Sequence, residues 1–493
     1  MENKRLIHII EIGFFLIIFV ALFTFFTTAH LLAPYDGDDW ANLALMRNAI
    51  PVWKGWNPIK ILPEDLFPLA GIVSAYIVYP ICGDYIYSIA FISAALFSFL
   101  VCVYLYLFYK LVRAWFNLST FQNILITTLY FILHFCVFYK KDAIVPYLFG
   151  TANLTCLYHY VIPAIVNICV VLYLARFDFP HRQNLSLGFY KGSVLMFTIY
   201  LAVFSNALSN IILAAYVSIA LLMRFISVPK YWKRFKQFCM DNKLYISILI
   251  VWCIALFFEA NGGRAHGIGK GILSLPVLET LKLFATTAAQ ISKSVIAFAA
   301  IMIAISFFAY RRINNSFYRK SGVMYVSISA ISFLYLVLIC AKAAPSYITR
   351  SDVFISFIIW SVLLICFSTA YVLKNYPKLT YVVPIFLLYF LMQASIGIGS
   401  YAENTMGRVN PKICYQIDND IIQQIKEADQ AGQTEMVLFV PKGDNRDNWP
   451  HPMYMGGNIS RTLYKHGLIS KPMKITIQPD PSINEKYHIA IPK

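Results

Sequence analysis

The sequence predicts an all-α polytopic membrane protein of about eleven crossings, with a small α/β unit at its C-terminal end. Three observations lead there. Hydrophobic residues make up 59% of the 493 and charged residues only 13%, with a mean hydropathy of +0.63. Apolar runs of about 18 residues or more recur along the chain, the length a helix needs to cross a bilayer. From Tyr401 onward the pattern changes to short amphipathic segments.

The chain starts "MENKRLIHII", with Lys4 and Arg5 ahead of an apolar stretch that reaches Leu32. No small-residue cleavage site follows, so this stretch is expected to stay as a signal anchor with its N-terminus in the cytoplasm. Further crossings are expected near 85–109, 121–139, 155–175, 191–208, 209–227, 244–260, 285–309, 322–343, 353–373 and 380–400. Charge tests this order. Alternate loops carry Lys110 and Arg113, "ARFDFPHRQ", "RFISVPKYWKRFKQFCMDNK", "YRRINNSFYRKS" and "LKNYPK", with little acid beyond Asp178 and Asp241. The opposite loops hold Asp36, Asp38, Asp39, Glu64, Asp65, Asp84, Asp142, Glu259, Glu279 and Asp352. Basic loops face the cytoplasm, so an odd number of crossings leaves the C-terminus outside. The net charge of +17 thus reports orientation, and no nucleic-acid partner is expected.

"EDLFPLAGIVSAYIVYPICGD" (64–84) is apolar but short and carries Pro68 and Pro80. Taking it as a crossing would invert every later loop, so it is expected to be a re-entrant or interfacial helix within a long first outer loop, 33–84. The organisation expected is a transmembrane domain over 1–400 and an outer α/β domain over 401–493. In the latter, "DNDIIQQIKEADQAGQ" and "GGNISRTLYKHGLIS" read as helices and "EMVLFVP" and "MKITIQP" as strands. The ten cysteines are scattered through apolar runs without CxxC spacing, which fits small buried hydrophobes better than disulfides or a zinc site.

Two constellations could carry chemistry. "YDGDDW" packs Asp36, Asp38 and Asp39 between Tyr35 and Trp40 at the end of the first crossing. Asp38 or Asp39 could simply cap a helix starting near Trp40. Crowded carboxylates at a membrane edge also repel, which raises one pKa and makes a base. Tyr35 and Trp40 fit interface anchors beside such a site. The second constellation is basic groups in outer loops, against the charge rule. "FEANGGRAHGIGKG" holds Arg264, His266 and Lys270, "CAKAAPSYITRSD" holds Lys342, Tyr347 and Arg350, and "FYKKDAIVPY" holds Lys140 and Lys141. Singly these are snorkelling side chains. Together they suggest an anion site, led by Arg264 and Arg350 because guanidinium binds phosphate as a fork. Lys293 is expected inside a crossing, near its outer end.

A signal anchor, an acidic outer loop directly after it and about ten more crossings resemble the GT-C glycosyltransferases, and "YDGDDW" resembles their acidic pair. Size and the outer C-terminal domain are most similar to serotype-converting O-antigen glucosyltransferases. The resemblance implies a multi-pass enzyme of the bacterial inner membrane with its site on the periplasmic face. It would take a sugar from a polyprenyl-phosphate donor and pass it to a glycan or lipid-linked acceptor, with inversion. Asp38, then Asp39, would be the base, with Asp36 orienting the acceptor. Arg350, Arg264 and Lys342 would meet the phosphate, with His266, Lys270, Tyr347, Tyr35 and Trp40 around the substrates and membrane lipids around the helices. "DGD" also matches the DxD metal motif of soluble glycosyltransferases, but an outward site lies away from nucleotide sugars, so no cofactor or metal is expected. A surface-polysaccharide polymerase would also fit Arg264 and Arg350 in separate outer loops. A flippase or transporter would need internal repeats and midplane charge, which are not evident.

Overall fold

The computed structural model describes residues 4–138, 147–151, 153–178, 187–227, 234–267, 276–313, 316–396, 409–444 and 446–491. Lys140, Lys141, Asp142 and Lys270 lie outside the described residues. Among the described residues nine helices are long and apolar enough to cross a membrane, and three more apolar helices, Thr120–Cys136, Phe189–Val203 and Ile211–Ser227, are shorter. The protein is an all-α polytopic membrane protein. Its two most enclosed spans are Leu154–Asp178 and Ser351–Asn375. Their N-terminal ends meet, since Ser351 Oγ donates to the Gly150 carbonyl (3.0 Å) and Arg350 Nη2 to Cys156 Sγ (3.1 Å).

Local chemistry sets the helix ends. Asp84 accepts from the Tyr87 amide (2.8 Å) and starts the long helix Tyr85–Phe116, which Asn117 ends in a left-handed turn. A capping box of Ser119 and Gln122 starts Thr120–Cys136. At the basic end, Asp178 pairs with Arg224 and accepts from Tyr245 Oη (2.6 Å), which explains one acid among the basic loops.

One expectation needs correction. The span expected at 285–309 is two helices, Val277–Ala288 and Lys293–Ile313. The chain breaks between them where Ile291 bridges Phe138 and the Ser292 amide donates to the Val137 carbonyl (2.7 Å). Lys293 is therefore the exposed first residue of a helix, outside any apolar interior.

The stretch 64–84 is helical, as expected, despite its prolines. Ile61–Val73 runs with Pro68 inside it, through a π turn Ser74–Val78, into Tyr79–Cys82. By length and composition it ranks among the nine long helices. Polar segments approach it at several points. Glu64 pairs with Arg47 (3.1 Å), and a Cβ on Gly71 would strike the Leu43 carbonyl. Further along, Tyr76 Oη donates to the Lys465 carbonyl (2.7 Å) and Lys426 Nζ to Tyr79 Oη (2.8 Å). Its other face exposes Leu69, Ile72, Ile77 and Ile81.

Residues after 409 form the helix Pro411–Gln430, strand β1 Glu435–Pro441, the helix Met455–Lys465, strand β2 Lys474–Asp480 and a short helix Pro481–Lys486. The strands pair in parallel, Glu435 opposite Lys474 through Pro441 opposite Asp480, with Met455–Lys465 as the crossover helix. Leu438, Val440, Ile459, Leu463 and Ile477 bury the shared face.

Candidate functional site

The acidic turn is built by Asp36. Its Oδ1 accepts from the amides of Asp38 (2.7 Å) and Asp39 (3.2 Å), which starts the short helix Gly37–Asn42. The cap is therefore Asp36, where Asp38 or Asp39 was expected, because Asp36 has the extended backbone that lets its side chain fold back over the first turn. Its Oδ2 accepts from Asn153 Nδ2. Asn153 in turn caps the span Leu154–Asp178 by accepting from the Cys156 amide (2.8 Å). Asp39 faces the same helix end. Its Oδ2 accepts from the amides of Tyr35 (2.8 Å) and Leu154 (3.4 Å), and its Oδ1 from the amide of Thr155 (2.5 Å).

Asp36 and Asp39 are both 0% exposed, whereas Asp38 is exposed and its carboxylate takes no hydrogen bond among the described residues. Burial pushes the Asp39 carboxyl up to about 6, although the Thr155 and Tyr35 groups pull it down. Burial, with Asp39 and Asp38 adding, holds Asp36 well above the usual carboxylate range. A group that ionises close to neutrality suits proton abstraction.

One residue further along the same helix end, the charge changes sign. Arg350 reaches Cys156, forms a two-pronged pair with Asp352 (3.0 and 2.6 Å) and lies over the rings of Tyr160 (4.6 Å) and Tyr347 (5.3 Å). Lys60 lies over the same Tyr160 ring (5.8 Å) at 9% exposure. Burial first, then the nearby Arg264 charge, draws its ammonium down to about 7. Arg264 itself pairs with Glu259. Glu64 lies 3.9 Å from His159, one turn from Cys156.

A buried polar turn, "SNALSN" (205–210), props this end up. Asn206 Nδ2 donates to the His159 carbonyl (2.7 Å) and Ser209 Oγ to the Tyr160 carbonyl (3.2 Å). The Phe204 carbonyl takes the amides of Ile61 (3.0 Å) and Leu62 (3.2 Å), which sets Lys60 over Tyr160. Neither Lys60 nor this turn drew attention in the sequence. Buried Asn and Ser spaced alike at the end of an apolar helix were the available signal.

The C-terminal unit covers the acidic turn. Thr462 Oγ1 donates to the Trp40 carbonyl (2.5 Å), Asn458 Nδ2 to the Gly37 carbonyl (3.2 Å) and Lys465 Nζ to the Ala44 carbonyl (3.2 Å). Gly37 has no side chain because Tyr454 lies where a Cβ would come within 2.5 Å of its ring. Tyr35 and Trp40 were expected at the membrane interface. Both are instead buried, at 1% and 0% exposure, because this unit packs over them. Of the remaining expected residues, Tyr347 is half-buried beside Arg350. Lys342 stands half-buried on the last turn of Ser316–Ala343, and His266 is exposed in the short helix that carries Arg264. Among the described residues no three His, Cys, Asp or Glu side chains converge as a metal site. Compared with known proteins, the chain matches no family model, no curated protein and no solved structure.

Proposed function

We propose that this protein is a membrane glycosyltransferase that moves a sugar from a polyprenyl-phosphate donor to a cell-surface glycan or lipid-linked acceptor. The single observation that carries this reading is the one-residue step from Asp39, bound at the Thr155 amide, to Arg350, bound at the Cys156 sulfur. A group able to take a proton and a group able to hold a phosphate stand side by side on one helix end. Two helix N-termini, Leu154 and Ser351, add positive potential there.

Asp39, in preference to Asp38, acts as the base, since it is held at the helix end that also receives Arg350 and it ionises near neutrality. It takes the proton of an acceptor hydroxyl, and that oxygen bonds to the anomeric carbon as the carbon–oxygen bond to phosphate breaks. The phosphate leaves with the electron pair, and Arg350, Lys60 and Arg264 stabilise its charge. Attack opposite the leaving group inverts the anomeric carbon. The basic loops favour a non-cytoplasmic position for this end; in this reading it works at the outer face of a bacterial inner membrane, with the helix Ile61–Cys82 beside the lipid and the C-terminal unit outside. The test is transfer by the purified full chain from a panel of polyprenyl-phosphate sugars to lipid-linked and polymeric glycans. Transfer by the parent that is lost in Asp39→Asn and Arg350→Ala supports the reading. A folded parent that transfers from no donor overturns it.

A further inference from the structure

The most anomalous group outside this cluster is Asp418, in the middle of Pro411–Gln430. It is 0% exposed, and neither of its carboxylate oxygens has a hydrogen-bond partner among the described residues. A buried charge left in that state costs several kcal/mol, so such a group gives up its charge. Among the described residues no cation acts on it to keep it ionised. Its own helix contributes the Cys414 thiol one turn earlier. The acidic turn contributes the buried Tyr35 hydroxyl, set against the Cys414 thiol, and the Asp39 carboxylate, with Asp36 near Tyr35.

The remaining titratable groups nearby are neutral or engaged. His451, whose ring lies 6.0 Å from Tyr35, is buried and held down to about 4, so it is uncharged near neutrality. His30 lines the small crevice that Tyr35, Asn153 and Cys414 share. Tyr415 donates to Asp84, Asp420 takes Lys486, and Lys426 donates to Tyr79. Glu435 and Lys474 pair with each other on the outer strand face.

We propose that the C-terminal unit docks on the acidic turn only with a proton on Asp418, so that docking is a proton-linked lid over the candidate site. The docked face sets a carboxyl against Tyr35 and two further carboxylates, which only the neutral acid tolerates. Undocking exposes Asp418 to water, where it ionises as an ordinary aspartate. Burial, with Asp39 adding, holds the docked carboxyl well above its ordinary value, so the direction follows. Docking is favoured at low pH and weakens as pH rises toward the docked ionisation, by up to about tenfold per pH unit for one linked proton. This inference does not depend on which reaction the site performs.

The test uses the full chain in lipid nanodiscs and reads no activity. Hydrogen exchange at 34–44, corrected for the intrinsic rate at each pH, measures lid opening, and infrared absorption reports protonated buried carboxyls. Near neutral pH the parent is expected to show a protonated carboxyl band that Asp418→Asn loses. Opening at 34–44 should rise with pH in the parent, and the Asp418→Asn slope should be shallower by about one proton. An unchanged slope in Asp418→Asn, or no band lost, overturns the proposal. Absence of any protonated band in the parent near neutral pH overturns the proposal outright; because Asp36 is also held protonated, a band that is present is assigned by Asp418→Leu if Asp418→Asn folds poorly, and a band and exchange slope unchanged in Asp418→Leu overturn the proposal.

Discussion

Replacing Lys60 with methionine is expected to make the protein more stable and less active at once. Burial and the Arg264 charge draw the amine from 10.5 to about 7. Between those values the unfolded chain binds a proton that the folded chain does not. Stability is therefore full above about pH 10.5, falls as pH drops, and stays at its lower level below about pH 7. The interval corresponds to about 5 kcal/mol. Methionine fills similar space without charge and removes that penalty. Glu64 and Glu259 lose an attractive neighbour, but each keeps an arginine, Arg47 and Arg264. A net gain of about 2–3 kcal/mol at pH 6.5 is expected, shrinking as pH approaches 10. Thermal unfolding of the purified chain at several pH values measures it, and sugar transfer on the same samples should fall by about 10²–10³-fold. A variant that melts below the parent at pH 6.5, with a gap that does not change toward pH 10, would refute the reasoning about Lys60. Undiminished transfer would remove Lys60 from the phosphate site.

The pH dependence of kcat/KM should be a narrow bell, rising as Asp39 loses its proton near pH 6 and falling as Lys60 loses its own near pH 7. Lys60→Arg should extend the plateau to higher pH and leave the acid limb in place; a shift of both limbs would count against the assignment. Asp39→Asn should cost about 10²–10⁴-fold in transfer. It should also cost about 2–4 kcal/mol in stability, since an amide nitrogen would face main-chain donors. Asp38→Asn should stay within about 0.5 kcal/mol of the parent, so equal losses in the two variants would sink the distinction between them. Gly37→Ala should loosen the C-terminal unit by displacing Tyr454, read as faster hydrogen exchange at 455–465, and unchanged exchange would show the close approach to be unimportant.

Much of the fold was legible because the bilayer imposes it. Apolar length and alternating loop charge marked most of the helices, and the tail's alternation marked both strands close to their observed ends. The break at 289–292 was not legible, since "ATTAAQISKSVIAF" has no proline or glycine and the kink comes from bonding to Val137 and Phe138, about 150 residues earlier. Tyr35 and Trp40 looked like interface anchors because sequence cannot show that a helix some 420 residues later will cover them.

The site divides along the same line. That "YDGDDW" mattered could be seen from crowding alone, but which aspartate faces inward could not. Gly37–Asn42 is under two turns long, so its two acids and the capping Asp36 point in different directions, and only their partners decide between them. Those partners are Asn153 and the Thr155 amide, in a segment whose own sequence, "TANLTC", carries no charge. Lys60 is the sharper case. As one of 41 basic residues it is indistinguishable in sequence from a snorkelling lysine. Its burial follows from the Phe204 carbonyl capturing the next two amides, which closes the chain over it. If that capture is what makes Lys60 a buried cation, loosening the 205–210 turn should restore its ordinary titration without touching the lysine. Asn206→Ala, which removes the donor to the His159 carbonyl, should move the alkaline limb of the pH profile upward while the acid limb, set by Asp39, stays where it is.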